Sequence, residues 1–80
     1  MDMRKLVGQN VRKARLAKGL TQEEFADVSG FSQQYISSLE SGHRNPTVIT
    51  LYALSQALDV SHLELLKAGR KTAAKTKGRG

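Results

Sequence analysis

The sequence has no cysteine, no tryptophan and a single proline, and its only aromatic residues are two tyrosines and two phenylalanines. Without thiols there can be no disulfide, thiolate zinc site or cysteine nucleophile. The cross-links that small secreted domains depend on are missing too, so a reducing, cytoplasmic setting is expected. No apolar run reaches the roughly 18 residues that a membrane helix requires, and the first residues lack the charged-then-apolar order of an export signal. The two histidines, His43 and His62, have neither metal-ligand spacing nor a nucleophile to pair with, and no glycine-rich phosphate loop is present. No catalytic residue, metal site or cofactor is therefore expected. Alternating β-branched stretches are absent as well, which excludes strands and points to an all-α fold.

Charge is plentiful, with a formal net of +6 and a pI near 10.1. Its distribution is uneven. Residues 69–80 hold Arg70, Lys71, Lys75, Lys77 and Arg79 without one acid, leaving eight basic residues against seven acidic ones in 1–68. A basic surplus of this kind suits a polyanionic partner. The division predicted is one small domain over 1–68, followed by a basic, disordered tail over 69–80.

Periodicity and punctuation predict five helices. The first runs from Met3 to Lys18, with Val7, Val11 and Ala14 at helical spacing and Gly19 as its stop. Thr21 is a suitable N-cap, and Glu24 three residues on completes a capping box that opens a helix over Gln22 to Ser29. Gly30 ends that helix, and Ser32 caps a third, reaching Ser41, whose Ile36 and Leu39 share a face. After Gly42, Pro46 is expected to start the fourth helix, with Thr47 in its first turn and Val48, Leu51, Leu54, Ser55 and Leu58 turned inward. Asn45, before the proline, should be extended. A Ser61 cap then leads into a short fifth helix carrying Leu63 and Leu66.

Two short helices joined by a glycine-containing turn form a helix-turn-helix, which presents its second helix to the DNA major groove. Ala26, small and mid-helix, suits the close crossing such a turn imposes, although close-packed alanines occur in helical bundles generally. GLTQEEFA at 19–26, the turn at Gly30, YISSLESGHRNP at 35–46 and TLYALSQALDV at 50–60 together resemble the Cro/repressor-type helix-turn-helix domains of the Xre family. The resemblance covers Val11 to Val60. It implies a five-helix, lambda-repressor-like bundle that binds operator DNA as a bacterial transcriptional regulator, commonly a repressor and a homodimer.

With Ile36 and Leu39 inward, the opposite face of the third helix carries Ser32, Gln33, Gln34, Ser37 and Ser38, which are polar and uncharged. Glutamine can pair bidentately with adenine and serine with several base edges, so these five are the candidate base contacts. The resemblance places Gln33, Gln34 and Ser38 at the base-contacting end of the recognition helix. Gln22 opens the preceding helix, where its amide and the free backbone N–H groups can hold a phosphate, the role the resemblance also implies. His43, Arg44 and Asn45 follow the recognition helix and are further phosphate candidates. The family often has a basic residue where His43 stands, so loss of its charge at high pH should weaken the contact. Tyr35 either meets a phosphate through its hydroxyl or completes the core. Arg15 and Glu40 fall close to inward faces, and the resemblance implies that they form a partly buried salt bridge bracing the recognition helix.

The expected partners are a double-stranded DNA operator and a second copy of the chain, without a membrane. A single recognition helix reads only a few base pairs, which favours pairing over two half-sites. Leu63, Leu65, Leu66 and Tyr52 are candidates either for the dimer surface or for the monomer core. The rival reading is an antitoxin-like module that neutralises a partner protein, with DNA binding secondary.

Overall fold

The computed structural model describes residues 2–68 and consists there of five helices: α1 (Met3–Ala17), α2 (Gln22–Ser29), α3 (Gln33–Glu40), α4 (Val48–Leu58) and α5 (His62–Leu66). The predicted tail over 69–80 lies outside the described residues. Each helix begins where a short polar side chain can satisfy an orphan backbone N–H. Asp2, Thr21, Ser32, Thr47 and Ser61 all occupy N-cap positions and all accept such a bond. At α2 the capping box is complete, with Thr21 Oγ1 accepting from Glu24 N at 3.0 Å and Glu24 Oε1 accepting from Thr21 N at 2.8 Å.

α1 packs against α3 and α5, α2 against α3 and α4, and α4 against α5. Between them lies one core in which Val11, Phe25, Ile36, Leu39, Leu54 and Leu65 are wholly inaccessible, with Val7, Leu51 and Leu58 nearly so. Burying each of the larger side chains contributes about 1.5–3 kcal/mol. Ser55, also buried, donates its hydroxyl to Tyr52 O at 2.7 Å, so its inward placement leaves no unsatisfied donor.

The expected start of the fourth helix and the inward placement of Val48 are corrected. The fourth helix starts at Val48, not Pro46: Thr47 is its cap, with Oγ1 accepting from Thr50 N at 3.0 Å. Val48 then falls on the first turn and is 79% exposed, not inward. In the fifth helix Leu65 is the inward residue, fully buried, while Leu63 is 63% and Leu66 38% exposed. Starting at His62, this one-turn helix turns a single leucine into the core.

Gly8, inside α1, has a role that no feature of the helical pattern announces. A Cβ there would lie 2.4 Å from Leu39 O and 2.9 Å from Glu40 O. The glycine therefore lets α1 cross directly over the C-terminal carbonyls of α3, at the usual cost of about 1 kcal/mol in helix propensity.

Candidate nucleic-acid interface

The two helices of the motif are joined by Gly30, Phe31 and Ser32. Gly30 takes the left-handed conformation, φ 82°, and its N–H donates to Ala26 O, closing α2. Ser32 then reopens the chain as a helix, its hydroxyl accepting from Tyr35 N at 3.0 Å. Ala26 is buried beneath this turn, as the small side chain expected at a close crossing.

Ile36 and Leu39 anchor α3 in the core, and the remaining surface of the helix is set by that anchoring. Ser32, Gln33, Gln34 and Ser37 are exposed, while Ser38 is half-buried at the margin. Of the five candidate base contacts, four thus share an open polar surface and Ser38 sits at its edge. Beyond the helix, His43, Arg44 and Asn45 are exposed. The backbone N–H of His43 donates to Ser38 O at 2.9 Å, tying this loop to the last turn of α3.

Arg15 and Glu40 form the pair implied by the resemblance. Arg15 Nε donates to Glu40 Oε2 at 2.7 Å and Nη2 to Oε1 at 2.9 Å, a bidentate contact, and Nη1 donates to Leu20 O at 2.8 Å. The side chains are 8% and 3% exposed. Hydrogen bonding to Glu40 raises the proton affinity of the guanidinium above its ordinary value despite the opposing effect of burial, so Arg15 stays charged. The pair fastens the end of α3 to α1 and to the loop before α2. Gln22, half-buried at the start of α2, joins it by donating from Nε2 to Glu40 Oε1 at 3.2 Å.

Tyr35 packs against the edge of the core. Its ring is half-buried and stacks on Phe31, with centroids 5.2 Å apart, while the guanidinium of Arg44 lies 5.4 Å from the ring centroid. Burial raises the pKa of its hydroxyl above the ordinary tyrosine value, with Arg44 pulling the other way, so the group is a neutral donor. The stack places Arg44 beside the recognition helix. Neither the stack nor the Gln22–Glu40 bond was visible in the sequence, where no periodicity links a turn residue to a loop four or more positions beyond the helix.

A second surface lies on α4 and α5. Val48 and Ile49 are each 79% exposed, Leu63 63% and Tyr52 52%, and Val48, Ile49, Tyr52, His62 and Leu66 line one shallow apolar groove of about 320 Å³. Of the four residues named as dimer or core candidates, Leu65 belongs to the core and the other three are exposed. Ile49, Val48 and His62 are additions. α4 is apolar around most of its circumference, so periodicity does not place Val48 and Ile49 on one face, and His62 opens the one-turn α5, too short for a periodicity.

The sequence profile of the helix-turn-helix family HTH_3 matches residues 11–65. An uncharacterized HTH-type transcriptional regulator of Sinorhizobium fredii, y4dJ, is 71% identical over 66 residues, which is 82% of this chain and 86% of that protein. Among solved structures, the restriction-modification controller protein C.AhdI of Aeromonas hydrophila superposes with a TM-score of 0.74 at 39% identity, covering 78% of this chain and 94% of that one. The master regulator for biofilm formation SinR, solved in complex with DNA, gives 0.72 at 35% identity, covering 76% and 98%. The chain belongs to the helix-turn-helix family HTH_3, the Xre or Cro/repressor type of DNA-binding transcriptional regulator.

Proposed function

We propose that this regulator acts as a homodimeric repressor whose α3 reads operator DNA in the major groove, without catalysis. The observation that carries the reading is the exposed polar surface of Ser32, Gln33, Gln34 and Ser37, on a helix pinned from behind by Ile36, Leu39 and the Arg15–Glu40 pair. Gln33, Gln34 and the serines supply donors and acceptors for base edges, with Ser38 at the margin. Gln22, Tyr35, His43, Arg44 and Asn45 flank that surface as phosphate contacts that position the helix. Arg44, braced on the Tyr35 ring, is the strongest cation among them. The likeness to SinR, solved in complex with DNA, supports DNA as the partner.

The proposed dimer surface is the apolar edge of α4 and α5. A second copy fits it because a two-fold pairing covers the same patch on both subunits and sets two recognition helices over two half-sites. Selection from a random duplex library at near-physiological salt is expected to return a pseudo-palindrome with half-sites about 34–36 Å apart. Gln33→Ala should then lose about 1–3 kcal/mol of discrimination at one position of each half-site. An unenriched library, or a sequence preference untouched by Gln33→Ala, would remove α3 from the reading role.

The tail over 69–80, with its five cations, is proposed to add affinity without sequence preference by releasing counterions from DNA. Its deletion should leave the selected sequence unchanged and flatten the dependence of affinity on salt. The log–log slope should fall by up to about 4–5 if every cation is engaged. An unchanged slope would separate the tail from DNA altogether.

A further inference from the structure

The Arg15–Glu40 pair has a third partner whose chemistry gives it a use beyond bracing α3. Glu40 Oε1 accepts at once from Arg15 Nη2 at 2.9 Å and from Gln22 Nε2 at 3.2 Å, while Oε2 is taken by Arg15 Nε at 2.7 Å. The carboxylate side chain is 3% exposed and Gln22 is half-buried at the start of α2. A side-chain amide is two-faced, with a carbonyl acceptor at one end and two N–H donors at the other, and on a free rotor either end can turn outward. A carboxylate and a phosphate both offer acceptors only. An amide whose carbonyl faced the DNA backbone would oppose the phosphate rather than bind it.

We infer that Glu40 is a positioning residue for DNA binding, which selects the donor end of the Gln22 amide and holds it at the mouth of α2 for a backbone phosphate. One N–H of Nε2 is spent on Glu40, and the second N–H of the same nitrogen is left for an acceptor outside the fold. The bidentate guanidinium of Arg15 neutralises Glu40, so the carboxylate holds Gln22 without presenting an uncompensated negative charge to the DNA. The bond from Arg15 Nη1 to Leu20 O at 2.8 Å fixes the chain just before the Thr21 cap, so the backbone that carries Gln22 is set by the same arginine. Three helices thereby place one amide. The inference rests on the reading of Gln22 as a phosphate contact.

The test is a double-mutant cycle on a duplex carrying the selected operator, with affinity read by fluorescence anisotropy and folding by thermal melts. Gln22→Ala in the natural chain should weaken binding about tenfold. Replacing the ion pair by an apolar pair, Arg15→Met with Glu40→Met, leaves no buried charge unpaired and should keep the fold. In that background Gln22→Ala should weaken binding by less than about threefold, because the amide has already lost its holder. An equal loss in both backgrounds would overturn the positioning role while preserving the phosphate contact. No loss in the natural chain would instead overturn the reading of Gln22 itself, and the inference with it.

A second measurement needs no substitution. In the free protein, the side-chain NH₂ of Gln22 should be markedly more rigid by ¹⁵N relaxation than those of the exposed Gln33 and Gln34. Equal mobility of the three would also overturn the proposal.

Discussion

Helix α3 sends Ile36 and Leu39 into the core and turns only Gln33, Gln34 and Ser37 fully to solvent, whereas α4 sends in Leu51, Leu54 and Leu58 and still exposes Val48 and Ile49 at 79% each. Both helices are anchored by complete burial of apolar side chains, so the contrast lies in what each does with the surface left over. On α3 that surface is wet and rich in donors and acceptors, which costs nothing in the free protein and suits base edges. On α4 it is apolar and contiguous with Tyr52, His62 and Leu66, which a monomer leaves in contact with water. The two are braced differently as well. α3 is locked by a bidentate ion pair and by the close crossing at Gly8, while α5 is tied to α1 by the side-chain amide of Asn10, and among the described residues no ion pair joins α4 or α5 to another helix. One surface is held in a fixed geometry, and the other is apolar and exposed.

The sharpest way to break the rigid half is to remove one member of its ion pair. Arg15→Met leaves the Glu40 carboxylate buried with only Gln22 to donate to it, and should cost about 3–5 kcal/mol in chemical denaturation. The double replacement of Arg15 and Glu40 by methionine should recover most of that loss. A single variant as stable as the natural chain would mean that Glu40 finds water on losing its partner, and that α3 is held by packing alone.

How much of this contrast is legible in the sequence depends on whether a feature is local. The caps at Thr21, Ser32 and Ser61 and the stops at Gly30 and Gly42 are local chemistry, and α2 and α3 fall where those residues put them. The open face of α3 is legible for the same reason, since its two aliphatic residues, Ile36 and Leu39, mark the inward side and only Tyr35 is left between the two faces. Arg15 and Glu40, 25 positions apart, carry no local signal that they meet; only the family resemblance joined them. The face of α4 was misjudged at Val48 because VITLYAL is apolar all round, and packing against α2 and α5 makes the choice that periodicity cannot. Asn10 carries no local signal of its role either. Its Nδ2 donates to Leu65 O at 3.0 Å and Lys67 O at 2.8 Å, holding the end of α5 to α1, a contact between segments more than fifty residues apart.

On the apolar half, Ile49→Ser tests whether the patch is covered by a second copy. The side chain is 79% exposed, so the monomer should keep its stability to within about 0.5 kcal/mol. Because a two-fold interface contains the residue twice, the dimer should weaken by about tenfold to a hundredfold in sedimentation equilibrium. A dimer of unchanged strength would move the interface off α4, and a destabilised monomer would show that the exposed edge is held in a way the packing does not indicate.

The smallest effect is expected where the two kinds of surface meet in one side chain. Tyr35 gives its ring to the Phe31 stack and to Arg44, yet among the described residues its hydroxyl has no hydrogen-bond partner within the chain. Tyr35→Phe keeps the ring and its burial, so the melting temperature should not move. If the hydroxyl donates to a phosphate, affinity for the operator should fall by about fivefold, the value of one hydrogen bond near 1 kcal/mol. The loss should be equal for every operator variant, because a phosphate contact positions without specifying. A loss confined to one base position would instead place Tyr35 among the base readers, extending the polar surface of α3 past Gln34. Unchanged affinity would leave the ring as a brace for Arg44 and nothing more.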